Sequence, residues 1–427
     1  MTRQAPRTGW QLRAYLGLGR LITLIGPRHL QKRLARERED PARWREKLGE
    51  AGVERPAGPL IWLHAVGIGE VMALRGLIGA LAALRPGLSF LITSSARSSA
   101  LVVGANLPPR TVHQYLPLDA PAYIARFLDH WRPDLSVWAE QDLWPGAVVA
   151  IHRRGIPLAL VNARMNDRAF QSRRRVRGLY GDLLARFALV TAQDDGTARH
   201  LAALCPRLAP RVTGSLKSAS PPLACDPAEL SRLQGALQGR RVWLAASTHP
   251  EDEAVALAAQ AILAAGDPAW LLIIAPRDPA RRASIATAIV ARGMAHATRS
   301  AGELPEPGQQ VYLADTFGEL GLWYRLAPVA LVGGTFGPVE GHNPWEPAAL
   351  GAAILHGPHV ANFAADYAAL EGAEAARLVR AGDLAEAVGA RDLSTMAARA
   401  RVLSDRGQGG LAPLAADLLA LMAGGGA

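Results

Sequence analysis

Glycines and a glutamate follow the first predicted strand of this 427-residue chain, in the segment His64-Ala-Val-Gly-Ile-Gly-Glu70. Gly67 and Gly69 allow a tight turn and the close approach of a ligand to the backbone. Glu70 falls at the start of a predicted helix, where a carboxylate can act as a general base that deprotonates an attacking hydroxyl. A glutamate that only caps the helix is the alternative. The segment predicts Gly69 as a binding residue and Glu70 as a catalytic one.

Charged side chains follow two later strands of the same half of the chain. Glu140 and Asp142 come just after the fourth predicted strand, and Arg164 follows the fifth. Either acid can orient Glu70 or hold a second substrate, and such an acid is otherwise only a solvated residue. The Arg164 guanidinium can form paired hydrogen bonds to a carboxylate or a phosphate. We therefore predict Glu140 as a second catalytic residue and Arg164 as a binding residue.

The second half of the chain has a corresponding series of loops after predicted strands. The densest of them, residues 333 to 347, combines a glycine-rich turn, a His-Asn pair and a glutamate at a helix start. Backbone amides in such a turn can bind phosphate, and the glutamate can bind ribose hydroxyls. An ordinary strand–loop–helix turn with proline near the helix start is the alternative. The predicted binding residues of this half are Ser247, Thr248, Arg277, Asp315, Gly334, Gly341, His342, Asn343 and Glu346.

The elements that position these loops are short apolar runs alternating with longer segments of helical spacing, which predicts repeated βαβ units. The predicted strands are Leu60–Leu63, Leu88–Thr93, Val112–Leu116, Leu135–Ala139, Leu158–Val161, Phe187–Thr191, Arg241–Ala246, Trp270–Ala275, Gln310–Ala314, Val329–Val332 and Ala353–His356. A Ser/Pro-rich stretch at 214–222 separates the two series and suits a hinge. The fold class is α/β, with two doubly wound, Rossmann-like domains that face a cleft. The expected boundaries are 1–48 for a membrane-interfacial segment, 49–214 and 215–427 for the domains.

The positive charge of the chain is concentrated at its amino-terminal end. Of a formal net charge of +10, the first 50 residues carry twelve Arg or Lys against five Asp or Glu. The apolar run Gln11–Gly26 lies among these charges and is shorter than the roughly 20 residues that a membrane span needs. It predicts an interfacial helix that contacts an anionic membrane surface, and an amphipathic helix packed on the protein's own body is the alternative. Basic residues confined to one end are not typical of a nucleic-acid-binding protein.

The two cysteines have no spacing typical of a metal site or of a disulfide framework. Two cysteines without such spacing fit a protein of a reducing compartment. Neither a disulfide framework nor a structural zinc site is therefore expected, and no cofactor is predicted.

Taken in order, the motifs resemble those of the 3-deoxy-D-manno-octulosonic acid (Kdo) transferases of lipopolysaccharide assembly. The matching segments are HAVGIGE (64–70), EQDLWP (140–145), VNAR (161–164), VTGSLK (212–217), AASTH (245–249), DTFGEL (315–320), GHNPWEPAALG (341–351) and HGPHVANF (356–363). The resemblance covers nearly the whole chain, and the GHNPWEPAA segment and the LWP loop are its most specific parts.

This resemblance implies a GT-B fold, with an N-terminal domain for a lipid acceptor and a C-terminal domain for a nucleotide sugar. It implies transfer of Kdo from CMP-Kdo to a lipid A precursor, with inversion and without a metal, at the cytoplasmic face of the inner membrane. By similarity Glu70 is the general base, and Arg277 with the glycine-rich loop binds the CMP phosphate. Asn343 and Glu346 complete the nucleotide site, and Lys217 is a candidate for a charged group on either substrate.

Four positions depart from the pattern of the family: Gly67, Gly146, Asp278 and Glu340. Asp278 and Glu340 add negative charge near the expected site of an anionic donor, which is unfavourable unless they are paired. A diverged paralogue with another nucleotide sugar or acceptor is therefore an alternative function. A non-catalytic sugar-nucleotide-binding protein and a nucleotide-sugar epimerase are the two alternatives from other classes.

Overall fold

The computed structural model describes residues 6–66, 68–95, 107–140, 143–219 and 222–424, together with the side chains of these residues except those of 68–72. Gly67 and Asp142 lie outside the described residues. Gly69 and Glu70 are described only as part of a helical backbone.

The chain divides into two compact units, each built around a parallel sheet. Apolar runs form the first sheet because strands that are buried on both faces need no polar alternation. Its strands are β1 (Leu60–His64), β2 (Ser89–Ser94), β3 (Thr111–Tyr115), β4 (Leu135–Ala139), β5 (Leu158–Ala163), β6 (Leu189–Ala192) and β7 (Arg211–Val212). They pair in the order β3-β2-β1-β4-β5-β6-β7, and each of these pairings is parallel.

Helices cover both faces of this first sheet, which is the doubly wound arrangement that the sequence predicts. The helices of this half are α1 (Trp10–Leu34), α2 (Ile68–Leu84), α3 (Pro121–Trp131), α4 (Pro145–Arg153), α5 (Asp167–Arg174), α6 (Arg177–Leu184) and α7 (Asp195–Leu204). One core contains Trp62, Phe127 and Trp138 on the side of α3 and α4. A second core, on the other face, contains Leu77 of α2.

The second unit repeats the plan with a different order at one edge. Its strands are β8 (Arg241–Thr248), β9 (Trp270–Pro276), β10 (His296–Thr298), β11 (Val311–Leu313), β12 (Val329–Val332), β13 (Ala353–His356) and β14 (Ala376–Leu378). The order is β10-β11-β9-β8-β12-β13-β14, again with parallel pairings. The helices are α8 (Pro227–Ala236), α9 (Pro250–Gly266), α10 (Arg282–Val290), α11 (Leu320–Leu326), α12 (Trp345–Leu350), α13 (Ala364–Gly372), α14 (Leu384–Val388) and α15 (Leu393–Gly409), and a last helix, α16 (Leu411–Gly424), follows them.

The end of the chain corrects the expected domain boundaries. The second unit comprises residues 220–406, whereas residues 407–427 belong to the first unit, not to a C-terminal domain of 215–427. Leu411, Leu414 and Leu418 of α16 join the core that contains Leu77. An Ala/Leu-rich helix can pack on any apolar surface of the right shape. Its sequence therefore does not determine which of the two domains it packs against.

Helix α1 packs one side on the first unit and leaves the other exposed. Gly19 and Gly26 lie against α3 and the residues before it, where a Cβ on Gly26 would be 3.1 Å from the Tyr123 ring. On the outer side, Trp10 is 74% exposed and Leu24 75% exposed. The helix extends through Pro27, eight residues beyond the apolar run. Among the described residues no helix is both long and apolar enough to cross a membrane.

Candidate active site

In each sheet the strand order reverses at one point, and ligands of open α/β sheets bind there, outside the carboxyl ends of the strands. In the first unit this point lies between β1 and β4, which are neighbours although they are not consecutive. The loop after β1 leads into α2 and to Glu70, and the loop after β4 begins at Glu140. In the second unit the point lies between β8 and β12. The loops singled out from the sequence thus flank the reversal point of each sheet.

A charged cluster at the first reversal point is formed by Glu140, Asn162 and Lys217. The Lys217 ammonium lies 3.9 Å from Glu140 Oε1, and both side chains are nearly buried. Asn162 is 1% exposed and its side-chain amide is 3.5 Å from the same carboxylate. Asn162 Oδ1 also accepts a hydrogen bond from the backbone N–H of Leu216 at 2.9 Å. Asn162 therefore ties the segment that carries Lys217 to the strand end beside Glu140.

Both Glu140 and Asn162 have backbone conformations that place their side chains at this edge. Their φ angles are 61° and 55°, in the left-handed region that residues other than glycine rarely adopt. Backbone strain of this kind is concentrated at functional sites. Arg164 is two residues further along the chain and lines a small cavity together with Glu140, Leu143 and Tyr180. The structure therefore brings three predicted residues of the first unit, Glu140, Arg164 and Lys217, to one edge of the sheet.

The LWP loop is held in place by the buried carboxylate of Asp119. Asp119 accepts hydrogen bonds from the backbone N–H groups of Gly146 and Ala147, at 2.8 Å each, at the start of α4. The Tyr15 hydroxyl of α1 donates to the same carboxylate at 2.9 Å. A Cβ on residue 146 would be 2.5 Å from Asp119 Oδ1, so glycine at this position allows the close approach. The departure at Gly146 therefore has a structural reason in this chain.

At the second reversal point two histidines from different loops are in contact. The Nε2 atoms of His249 and His342 are 3.0 Å apart, and the rings are stacked. Burial, followed by the positive charges of His249 and Arg277, lowers the pKa of His342 to about 4. His342 is therefore neutral at pH 7, and one ring nitrogen of the pair donates a hydrogen to the other. The contact fixes the loop after β12 to the start of α9.

The glycine-rich loop binds a carboxylate of its own chain. Asp252, which is fully buried, accepts hydrogen bonds from the backbone N–H groups of Gly334, Thr335 and Phe336 at 2.7 to 3.2 Å. It also accepts from the backbone N–H of His249 at 2.9 Å. We expected the amides of this loop to bind a phosphate, and that expectation is wrong for these three. The carboxylate of Asp252 already occupies the place of the anion.

Glycine is required in this loop for two reasons: some positions have a left-handed backbone, and at others the neighbouring backbone lies too close for a Cβ atom. Gly334 and Gly341 have φ angles of 71° and 88°, and the Gly341 N–H donates to the Gly334 carbonyl at 2.8 Å. A Cβ on Gly333 would be 2.5 Å from the carbonyl oxygen of Ser247. Ser247 itself has a φ of 55°, at an irregularity between β8 and β9. These residues shape the site through their backbones.

A glutamate, an asparagine and an arginine converge beside the histidine pair. Burial raises the pKa of Glu346 to about 7, while a hydrogen bond from Asn343 and the charge of Arg277 lower it by smaller amounts. Asn343 Oδ1 also accepts from the Trp345 N–H at 3.1 Å and so begins α12. Arg277 is exposed at the end of β9, and its backbone N–H donates to the Thr248 carbonyl at 3.0 Å. The guanidinium is close enough to influence the pKa values of both His342 and Glu346.

The side chains of two further predicted binding residues form hydrogen bonds to other residues of the second unit. The Thr248 hydroxyl is buried and donates to Glu253 at 3.1 Å. Asp315 accepts hydrogen bonds from the backbone and the hydroxyl of Ser300 at 2.9 and 2.6 Å. Both side chains therefore have structural partners, and Asp315 lies two strands away from β8.

The two acids that depart from the family pattern also have local partners. Asp278 accepts from the backbone N–H of Ala280 at 3.0 Å and caps a short turn. Glu340 accepts from the Ala361 N–H at 3.2 Å and lies 3.9 Å from the His359 ring. Their charges are thus partly compensated within the loops that carry them.

Asn162, Asp252 and His249 are site residues that were not predicted from the sequence. Asn162 lies in the VNAR segment, of which only the arginine was chosen. Asp252 comes three residues after His249, at the N3 position of a capping box, and this spacing was the available signal. Its second set of partners, the amides of residues 334–336, is more than 80 residues away in sequence and leaves no local pattern.

Two doubly wound units, each with polar loops at its reversal point, define an α/β protein with two Rossmann-like domains. Residues 42–220 match the family model described as 3-deoxy-D-manno-octulosonic-acid transferase (kdotransferase). The chain is 35% identical over 343 residues to the probable mitochondrial Kdo transferase of Arabidopsis thaliana, covering 78% of this chain and 77% of that protein. It is 32% identical over 326 residues to the Kdo transferase of Rickettsia bellii, covering 76% and 77%. The chain belongs to the 3-deoxy-D-manno-octulosonic acid transferase family.

The fold is similar to that of UDP-GlcNAc 2-epimerase from Neisseria meningitidis, with a TM-score of 0.54 and 14% identity over 85% of this chain and all of that one. At this identity the similarity concerns the fold alone. Together with the two sheets, it confirms the predicted α/β class with two Rossmann-like domains. The enzyme is a glycosyltransferase that transfers Kdo, as the family membership establishes.

Proposed function

We propose that this enzyme transfers Kdo from CMP-Kdo to a hydroxyl of a lipid A precursor (lipid IVA), with inversion, in lipopolysaccharide assembly. The observation that carries the proposal is the group formed by Arg277, Asn343 and Glu346 at the reversal point of the second sheet. It offers a positive charge and two polar side chains at the place where open α/β sheets bind nucleotides.

In this proposal the second unit binds the donor. The exposed guanidinium of Arg277 attracts the phosphate of CMP and stabilises its charge as the phosphate leaves with the nucleotide. Glu346 and Asn343 bind hydroxyl groups of the nucleoside. With a pKa of about 7, Glu346 loses its proton near neutral pH, and as a carboxylate it accepts hydrogen bonds from hydroxyls. Because the amides of residues 334–336 bind Asp252, the phosphate depends on Arg277 more than a glycine-rich loop would suggest.

The first unit binds the acceptor in this proposal. Glu70 lies in the first turn of α2 and acts as the general base that deprotonates the acceptor hydroxyl. The assignment rests on the resemblance and on this helical position. Glu140 and Lys217, held by Asn162, contact polar groups of the acceptor, and Arg164 binds an anionic group on it.

We propose further that the enzyme works at the cytoplasmic face of the inner membrane and is attached there by α1. Support comes from the outward side of this helix. Five large apolar side chains there are at least 55% exposed: Trp10, Leu18, Leu21, Leu24 and Ile25. Arg13, Arg20 and Arg28 are exposed beside them. An apolar stripe bordered by arginines is typical of a helix that lies in the interface of an anionic membrane.

The test is CMP release and sugar transfer by the purified enzyme given CMP-Kdo and a tetra-acylated lipid A precursor. Glu70→Ala is expected to lose on the order of a hundredfold or more in kcat if it removes the general base. Arg277→Gln is expected to raise KM for CMP-Kdo and lower kcat, and Arg391→Gln, an exposed arginine elsewhere in the second unit, serves as its control.

A folded wild type that transfers no sugar from CMP-Kdo would overturn the donor or acceptor assignment, and a screen of other nucleotide sugars would follow. Binding of CMP-Kdo without turnover would instead favour a non-catalytic binding protein. Unchanged activity of Glu70→Ala would remove Glu70 from the mechanism and leave the transferase assignment intact.

A further inference from the structure

A second concentration of positive charge lies in the first unit, outside the amino-terminal segment. Residues 164–177 contain six arginines and a single acid, Asp167. They follow β5 and form the loop after it, α5, the turn that follows and the first residue of α6. Acidic residues elsewhere in residues 51–427 offset part of this positive charge. The net charge of that part of the chain therefore does not reveal the cluster.

Four of these arginines point to solvent. Arg168, Arg174, Arg175 and Arg177 are exposed, and helix α5 contains no buried residue. Among the described residues, no carboxylate lies within ion-pair distance of these four. Other arginines of this unit do have such partners, for example Arg43 with Glu46 at 2.8 Å and Arg154 with Asp129 at 2.7 Å. Neighbouring like charges repel each other, so an unneutralised cluster is a favourable place for an anionic partner.

The cluster is held on a fixed support. The Phe170 ring of α5 stacks on the His200 ring of α7, with 4.4 Å between centroids and an interplanar angle of 9°. His200 also lies 3.1 Å from the Asp167 carboxylate at the start of α5. The arginines are thus displayed by helices that are attached to the core of the unit, and binding does not require the segment to fold.

The cluster adjoins the amino-terminal end of α1. The Gln11 side chain accepts a hydrogen bond from the Leu179 N–H at 2.9 Å. A Cβ on Gly178 would be 2.6 Å from Gln11 Oε1, so the two elements are in direct contact. Arg177 and Trp10 are the chain neighbours of these contacting residues. The exposed arginines of α5 and of the start of α6 therefore lie close to the amino-terminal end of α1, where its apolar stripe begins at Trp10, and exposed Val176 lies among them.

We propose that Arg168, Arg174, Arg175 and Arg177 bind the phosphates of anionic membrane lipids and form a second attachment of the enzyme beside α1. The inference rests on the proposed attachment of α1 to a membrane. The occupant is a lipid headgroup phosphate because guanidinium groups bind phosphates through paired hydrogen bonds, and because the neighbouring surface is apolar. The arginines of this surface add to Arg13, Arg20 and Arg28 of α1 in favouring anionic over neutral lipid.

The test measures flotation of the full-length enzyme with vesicles of phosphatidylcholine alone and of phosphatidylcholine with phosphatidylglycerol, without any substrate. The variant is Arg174→Gln/Arg175→Gln/Arg177→Gln. A matched control, Arg85→Gln/Arg207→Gln/Arg391→Gln, removes the same charge from exposed positions elsewhere. The wild type and the control are expected to prefer the anionic vesicles. The variant is expected to lose most of that preference, with binding to anionic vesicles weakened on the order of a hundredfold, and to keep the part that the arginines of α1 provide.

Replacing the same three arginines by lysine is expected to restore the part of the preference that depends on charge and to leave binding weaker than in the wild type, because lysine cannot form the paired hydrogen bonds of a guanidinium. Equal loss in the variant and its control would overturn the proposal, and so would an unchanged preference in the variant. Loss of RNA binding with vesicle binding intact would assign the surface to nucleic acid instead. Because vesicle flotation is measured without substrate, its failure leaves the transferase test unaffected. In detergent-dispersed assays the variant is expected to keep its KM for the lipid acceptor. A raised KM with intact vesicle binding would contradict the proposal.

Discussion

At the scale of single residues, the second unit depends on one buried carboxylate. Asp252 accepts hydrogen bonds from four backbone N–H groups, three in the loop after β12 and one at the start of α9. Bonds to an ionised acceptor are among the stronger hydrogen bonds in proteins, and a buried N–H without a partner is costly. Asp252 therefore holds the loop that presents His342 and Asn343.

Asp252→Asn is expected to lower the free energy of unfolding by roughly 2–4 kcal/mol, because the amide keeps one acceptor oxygen and loses the charge. The measurement is urea denaturation. Asp278→Asn is the control, since that exposed carboxylate accepts a single backbone hydrogen bond and its loss is expected to cost less than about 1 kcal/mol. Similar costs for the two variants would contradict the role given to Asp252.

The raised pKa of Glu346 predicts a pH-dependent stability. Burial raises it from an ordinary value of 4.5 to about 7. Between these values the unfolded chain has released a proton that the folded chain retains. The free energy of unfolding therefore decreases as pH rises from 4.5 to 7, and the full penalty remains above that range.

Glu346→Gln is expected to remove this decrease and to be more stable than the wild type at pH 8, by on the order of 2 kcal/mol. Thermal unfolding between pH 5 and 8 measures it, with exposed Glu386→Gln as control. A wild type and a variant with parallel pH profiles would show that the carboxylate does not retain its proton in the folded state.

Site residues differ in how far the sequence determined them. Glu140 and Lys217 were chosen from separate segments, and the structure brings them to 3.9 Å. Thr248 and Asp315 were chosen by the same reasoning, yet their side chains bind Glu253 and Ser300. A polar residue after a strand is expected at the functional edge, but its rotamer and its partner depend on contacts that are remote in sequence.

At the scale of elements, α1 continues through a proline because another helix supplies the missing donor. Pro27 has no N–H, so the Thr23 carbonyl one turn earlier has no helical donor. The Tyr123 hydroxyl of α3 donates to that carbonyl at 2.7 Å. The sequence predicted a helix ending near this proline, and the tertiary contact explains the longer helix.

Tyr123→Phe is expected to cost about 1 kcal/mol in stability in the wild type, because the Thr23 carbonyl loses its donor. In a Pro27→Ala background the cost is expected to be smaller, since the restored N–H donates to the same carbonyl. A double-mutant cycle with urea denaturation measures the coupling. Equal costs of Tyr123→Phe in both backgrounds would contradict this account.

The interior strands of both sheets were predicted from the sequence, whereas three short edge strands were not. Strands β4, β12 and β13 have the predicted bounds. The strands that were missed are β7, β10 and β14, which have two or three residues each and lie at the edges of the sheets. A buried strand needs a continuous apolar run, and that run is visible in sequence. An edge strand is defined by its pairing with one neighbour and carries little pattern of its own.

At the scale of the whole molecule, the chain returns to its first unit at the end. Leu414 is 1% exposed and belongs to the same core as Leu77 and Ile78 of α2. Leu384 is fully buried in a core of the second unit. Substitutions of these two leucines therefore test the stability of different units.

Leu414→Ala is expected to cost 2–5 kcal/mol, as large-to-small changes in buried cores do. Amide hydrogen exchange is expected to rise in residues 59–219 and not in 222–406. Leu384→Ala is the control and is expected to produce the opposite distribution. Faster exchange of the second unit in Leu414→Ala would mean that α16 stabilises both units.

By itself the sequence determined the α/β class, the two series of parallel strands, the family and the loops that carry the candidate site, because each leaves a local pattern of apolar runs and polar turns. Only the tertiary structure decided that Asp252 fills the glycine-rich loop, that Asn162 connects Glu140 to the segment of Lys217, and that α16 completes the first unit. The physical reason is the same in each case. Hydrogen-bond partners and apolar contacts between distant segments are selected by shape and burial in the folded chain, and neither is encoded at one position of the sequence.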